Sequence, residues 1–123
     1  MKPGLEIKES PIHGQGVFAT ARISKGTVME KIEGKPRHHS EIPEALLRRR
    51  GMEVSKDVYV VPKEGSLGWF LNHSDRPNST YNISTREIRA IRNIHRGEEL
   101  TIDYHETTTW PGYAALWKDA KPP

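Results

Sequence analysis

The chain contains no cysteine, which excludes a disulfide framework and any thiolate zinc site and suits a reducing compartment. No apolar run approaches the roughly 20 residues of a membrane span. Nor does Met1-Lys2-Pro3-Gly4 carry the apolar core of a secretory leader. An intracellular protein is therefore expected, in the cytoplasm or a host nucleus, neither secreted nor bound to a membrane. Net charge is scarce too: 19 Lys and Arg against 16 Asp and Glu leave +3, too little to make nucleic acid the expected direct partner. Hydrophobic residues fill only 34% of 123 positions, so the core must be economical, and the length suits one domain over 1–123. The histidines His13, His38, His39, His73, His95 and His105 show no HExxH spacing, and no metal is expected.

What is present is punctuation: 10 Gly and 9 Pro, which predict short strands joined by turns and no long helix. Leu5 to Lys8 and Val17 to Ala19 read as a hairpin, Thr27 to Ile32 as a strand with Val28, Glu30 and Ile32 on one face. One short helix is expected after Ser40 as N-cap, with Pro43 in its first turn and Gly51 as its stop. Val58 to Val61 is a strand, and Gly65 to Leu71 a loop or short helical turn. Tyr81 to Ile83 and Glu87 to Ile91 form a second hairpin, and a last strand carries Leu100, Ile102 and Tyr104 on one face. The fold class is thus mostly β. An internal echo, Ile23-Ser24-Lys25-Gly26 and Ile94-His95-Arg96-Gly97, precedes a strand each time and suggests two related halves.

Several motifs have plain competitors. Gly14-Gln15-Gly16-Val17-Phe18-Ala19 fits a dinucleotide fingerprint, but that motif must open a helix, and Val17-Phe18 favours a strand. Its glycines instead let backbone approach a small ligand, or simply turn a hairpin. His73-Ser74-Asp75 is no hydrolase triad, since such groups converge in space rather than along consecutive residues. Glu98, Glu99, Asp103 and Glu106 occur with no Lys or Arg between Gly97 and Glu106, a stretch suited to a cationic ligand or to a solvated strand edge. Arg48-Arg49-Arg50 reads as an exposed helix end. Trp110, Tyr113 and Trp117 are costly to leave in water, so the 105–123 tail should fold back on the body and close a site.

The most informative residues are Asn72-His73-Ser74 with Pro77-Asn78, then Gly97-Glu98-Glu99-Leu100-Thr101-Ile102-Asp103-Tyr104. A buried asparagine amide needs partners, which a ligand can supply, and a tyrosine aimed into a cleft explains its place in a modest core. With Gly14-x-Gly16 before them, these segments resemble the SET-domain protein-lysine methyltransferases from about Leu5 to Tyr104. The resemblance implies a β-clip fold with a pseudoknot-like C-terminal core and a variable insert at 34–57. It also implies S-adenosylmethionine as cofactor, with S-adenosylhomocysteine as product, held by Gly14, Gln15, Gly16, Asn72, His73 and Tyr104. Trp110 or Trp117 would cover the adenine in place of the cysteine-rich zinc segment found in many members. Tyr104 and Tyr81 would be catalytic, and Tyr59, Tyr81, Ile102 and Tyr113 would line the lysine channel. The expected partner is a basic lysine-containing protein or peptide, a histone among them, with dimerisation as a way to complete a minimal site. Two alternatives differ in kind: a non-catalytic β-clip module that only binds peptide, and nucleic-acid binding through Arg48 to Arg50.

Overall fold

A computed structural model describes residues 4–109. The chain runs through β1 (Leu5–Glu9), β2 (Gln15–Ala19), β3 (Val28–Lys31) and β4 (Arg37–His38), then a 3-10 turn and helix α1 (Glu44–Arg50). Strands β5 (Met52–Ser55) and β6 (Val58–Val60) follow, then α2 (Leu67–Phe70), β7 (Asn72–His73), β8 (Ser79–Asn82), β9 (Glu87–Ala90) and β10 (Glu99–Ile102). They form three small sheets, ordered β1-β2-β10-β7, β3-β9-β8 and β4-β6-β5. The mostly-β expectation holds, and among the described residues no helix is long and apolar enough to cross a membrane.

β10 makes the site possible. It lies between β2, antiparallel to it, and β7, parallel to it, which brings Tyr104 beside the Asn72 segment. Asn78 acts as a further strand residue: its side-chain amide donates to Glu99 O at 2.8 Å and its side-chain oxygen accepts from Thr101 N at 3.0 Å. Covered on both faces, β10 buries Leu100, Thr101 and Ile102 alike, so simple alternation fails there. The strand ends at Ile102, and Tyr104 opens a 3-10 turn, Tyr104–Thr107, capped by the Asp103 side chain.

The sequence echo becomes a contact. Ile23 and Ile94 exchange both backbone hydrogen bonds at 2.8 Å, and Gly26 and Gly97 adopt φ 91° and 90°. Each glycine N–H reaches the end of the other half's strand, Gly26 to Ala90 O and Gly97 to Ala19 O, both at 2.8 Å. The two turns are related halves of one joint.

Three local expectations are corrected. A bulge between Val28 and Glu30 rotates β3 so that Met29 and Ile32 both enter the core. Ser40 does not cap α1: Pro43 holds Ile42 extended at φ −109°, ψ 131°, so a separate 3-10 turn (His39–Glu41) forms and Pro43 itself becomes the N-cap. Arg50 is no exposed helix end; it is half-buried, packed on Trp69. The insert region contributes β4, α1 and β5, pairs with β6, and builds a second apolar cluster from Ile42, Leu47 and Tyr59.

Candidate active site

A cleft of about 380 Å³ opens between the β1–β2 turn and the chain around Asn72. His13, Gly14 and Gln15 line one wall, Asn72 and Tyr104 another. Gly14 takes φ +48°, a left-handed conformation suited to glycine, and Ser10 N closes the turn on Gly14 O at 2.8 Å.

Asn72 is 5% exposed, and its amide nitrogen is satisfied by the protein itself. It donates toward His13 O at 3.0 Å, Gln15 O at 3.3 Å and Glu99 Oε2 at 2.8 Å. The amide nitrogen therefore holds the glycine turn in place. Glu99 is fixed in turn by the Ser10 hydroxyl, at 2.7 and 2.9 Å. Gly16 is needed because a Cβ there would stand 2.3 Å from Glu99 Oε2 and 3.1 Å from Asn72 Nδ2. Its missing side chain leaves room for the carboxylate rather than facing the cleft.

Tyr104 lies where the cleft adjoins a second cavity of about 20 Å³, shared with Ile102, Leu71, Met52 and Gly68. Its hydroxyl donates to Leu71 O at 2.6 Å, and its backbone N–H donates to His73 Nδ1 at 3.0 Å. Burial pushes its pKa up to about 12, so the phenol is protonated in the neutral range. Because His73 Nδ1 accepts, its proton belongs on Nε2, which faces Asp75 Oδ1 at 2.9 Å. The His73 imidazole supports Tyr104 and is not part of the cleft wall.

Tyr81 and Tyr59 do not line either cavity. Tyr81 is 3% exposed within the same apolar cluster as Ile102, and its hydroxyl donates to Glu53 O at 2.8 Å. Tyr59, expected at the channel, is 1% exposed in the second cluster, its hydroxyl on Glu53 Oε1 at 3.1 Å and beside Thr108 Oγ1. Packing between Ile42 and Leu47 is what keeps it from the opening. Burial pushes the Tyr59 phenol up to about 12 and the Tyr81 phenol higher still. Trp110, Tyr113 and Trp117 lie outside the described residues.

The acidic stretch is occupied from within, not an open strip for a cation. Glu98 binds Arg92 at 3.0 Å and His95 N at 2.8 Å, and the Arg92 hydrogen bond foremost holds its pKa below the ordinary value. Asp103 accepts from His105 N at 2.9 Å, and Glu106 meets the Thr80 hydroxyl. Among the described residues no cluster of His, Cys, Asp or Glu could hold a metal ion.

Sequence reasoning missed five residues of the cleft: Arg49, Arg50, Glu64, Trp69 and Phe70. The Arg50 guanidinium lies 4.4 Å from the centre of the Trp69 ring and donates to Trp69 O. Arg49, Arg50, Trp69 and Tyr104 face both cavities. The available signal was the Arg49-Arg50 pair ending a helix just before a strand, a placement that gives no direction without the tertiary fold.

The SET domain family model matches residues 14–105. The chain is 30% identical over 136 residues to a variant-silencing SET domain-containing protein of Plasmodium falciparum, covering 93% of this chain and 5% of the relative. It is 31% identical over 118 residues to an H3 lysine-4 specific histone-lysine N-methyltransferase of Schizosaccharomyces pombe, covering 84% of this chain and 13% of the relative. An H3 lysine-36 specific counterpart from Candida albicans is 29% identical, with 82% and 14% covered. The chain thus spans only a small part of these relatives' length. A crystal structure of a Plasmodium falciparum protein assigned as a histone methyltransferase aligns with TM-score 0.67 and 26% identity, over 85% of this chain and 95% of that one.

Proposed function

Because the chain belongs to the SET-domain family, we propose that it transfers a methyl group from S-adenosylmethionine to a lysine side chain of a basic protein, a histone foremost. The observation that carries this reading is the position of Tyr104, half-buried and lining both the large cleft and the small cavity. Two spaces of unequal volume that share Arg49, Arg50, Trp69 and Tyr104 suit a large donor in the cleft and the tip of a slim side chain approaching from the other side.

The residues present fit such a donor. The Gly14 turn held by Asn72 offers backbone groups, Trp69 and Phe70 offer apolar faces, and the two guanidiniums of Arg49 and Arg50 suit a carboxylate. When bound, the donor supplies an electrophilic methyl carbon on a sulfonium. A lysine ammonium, with an ordinary pKa of about 10.4, has no lone pair and must release its proton before the nitrogen can attack. Desolvation of the amine at this small cavity would favour its neutral form, and the nearby Arg50 charge acts in the same direction. Tyr104 stays a neutral phenol and serves as a positioning hydrogen-bond partner rather than as a base. Ile102 walls the small cavity, and Tyr81 belongs to the same apolar cluster as Ile102.

In this reading the chain works inside a cell, and closure of the cleft by Trp110 or Trp117, with Tyr113 near the channel, stands as a proposal. The decisive experiment incubates the purified chain with labelled S-adenosylmethionine and a lysine-peptide array, read by mass spectrometry. Label on lysine is expected. Peptide binding without transfer would assign a binding module instead.

A further inference from the structure

Glu53 is a buried carboxylate with no evident need for its charge. It is 4% exposed, and among the described residues no lysine or arginine pairs with it. An apolar residue there would avoid the desolvation cost of an anion. Its partners are neutral donors, one from the paired strand β6 and the others from the chain after Tyr104. Oε1 accepts from Tyr59 Oη at 3.1 Å, Thr109 N at 2.9 Å and Thr109 Oγ1 at 2.9 Å, with Thr108 Oγ1 at 3.4 Å. Oε2 accepts from Thr109 Oγ1 at 2.8 Å. The main-chain carbonyl of the same residue holds the Tyr81 hydroxyl at 2.8 Å.

These bonds meet where the tyrosines need support. The turn bearing Tyr104 is fixed at its start by His73, through Tyr104 N at 3.0 Å, and internally by Thr107 Oγ1 donating to Tyr104 O at 2.7 Å. Its far end is fixed two residues later, by Thr109 on Glu53. One residue of β5 thereby secures the chain that leaves Tyr104 and the hydroxyl of Tyr81 together. We propose that Glu53 is a positioning residue for methyl transfer, which ties the insert strand β5 to both tyrosines and sets their separation. The inference rests on the methyltransferase reading and adds to it a residue in the insert that touches neither cavity.

The test uses the full chain and its Glu53→Leu and Glu53→Gln variants. Three readouts are taken: kcat against KM on an unmethylated lysine peptide that accepts label in the array, calorimetric affinity for S-adenosylhomocysteine, and amide exchange at Thr109. Misplacement of a positioning group costs rate rather than binding, so Glu53→Leu should lose about 10- to 100-fold in kcat, keep S-adenosylhomocysteine affinity within about threefold, and expose the Thr109 amide. Glu53→Gln keeps an acceptor for Thr109 N–H and should recover kcat to within about threefold. Faster exchange at Thr109 with unchanged kcat would overturn the proposal. So would a parallel loss of kcat and affinity in both variants. If Glu53→Leu does not fold, Tyr81→Phe and Thr109→Val each remove one donor; wild-type kcat in both would equally overturn it. An inactive wild-type chain removes the methyltransferase reading itself, whereas an active chain with indifferent variants removes the role of Glu53 alone.

Discussion

Replacing Gly16 by alanine should damage the cleft through Glu99 rather than through backbone strain. The added Cβ would lie 2.3 Å from Oε2 and 2.9 Å from the carboxyl carbon of Glu99, so the carboxylate must leave. Leaving breaks its bonds to the Ser10 hydroxyl, at 2.7 and 2.9 Å, and to Asn72 Nδ2, at 2.8 Å. Hydrogen bonds to a charged group are worth about 1.5–3 kcal/mol each, and partial rescue by water leaves a net cost of about 2–4 kcal/mol. For a domain of this size that corresponds to a fall of about 8–16 °C in Tm. Gly14→Ala provides the contrast: nothing lies within 4 Å of its Cβ, and only φ +48° opposes it, a strain of about 1–2 kcal/mol. Thermal unfolding followed by circular dichroism ranks the two, and donor affinity should fall further for Gly16→Ala because Asn72 loses its anchor. A Glu99→Ala background removes the clash, so there the Gly16→Ala cost should shrink to below about 1 kcal/mol. Equal destabilisation by both glycine variants, or an undiminished cost in the Glu99→Ala background, would refute the reasoning.

Tyr104→Phe should bind donor within about threefold of wild type yet turn over about 100-fold more slowly; near-normal turnover in a single-turnover assay contradicts the positioning role. Arg50→Gln should raise the donor dissociation constant about tenfold by calorimetry, because it removes a cation facing both cavities, and unchanged affinity argues against a carboxylate contact. Alkaline pH should unfold the chain. Burial raises the phenols of Tyr59 and Tyr104 from 10.0 to about 12, and Tyr81 moves the same way. The stability they contribute is complete below pH 10.0 and is lost as pH rises toward 12. Phenolate absorbance should therefore rise together with loss of circular dichroism, and independent, non-cooperative titration would oppose this.

Local rules carried the sequence a long way. The Ile-x-(Lys/Arg)-Gly echo identified two turns that pair through Ile23 and Ile94, because a glycine-ended turn is written in adjacent residues. Gly14, Asn72 and Tyr104, singled out together in the sequence, do line one cleft. What stayed hidden depends on partners far along the chain. Nothing near Arg50 announces Trp69, nothing near Glu53 announces Thr109, and Gly16 is explained only by Glu99. Tyr59 looked like a channel residue because an aromatic strand residue has two faces, and only the packing of Ile42 and Leu47 decides between them. The β3 bulge and the Pro43 boundary show the same limit on a smaller scale.

β10 is the final described strand to leave the ribosome, yet it occupies an interior slot between β2 and β7. Until residue 102 has emerged, a nascent chain carries two strand edges whose natural neighbour has not been synthesised, and such edges invite pairing with other molecules. Assembly is thus gated by the C-terminal third of the chain. Stop codons or fusions that remove Glu99–Ile102 should yield sticky fragments rather than a smaller soluble core.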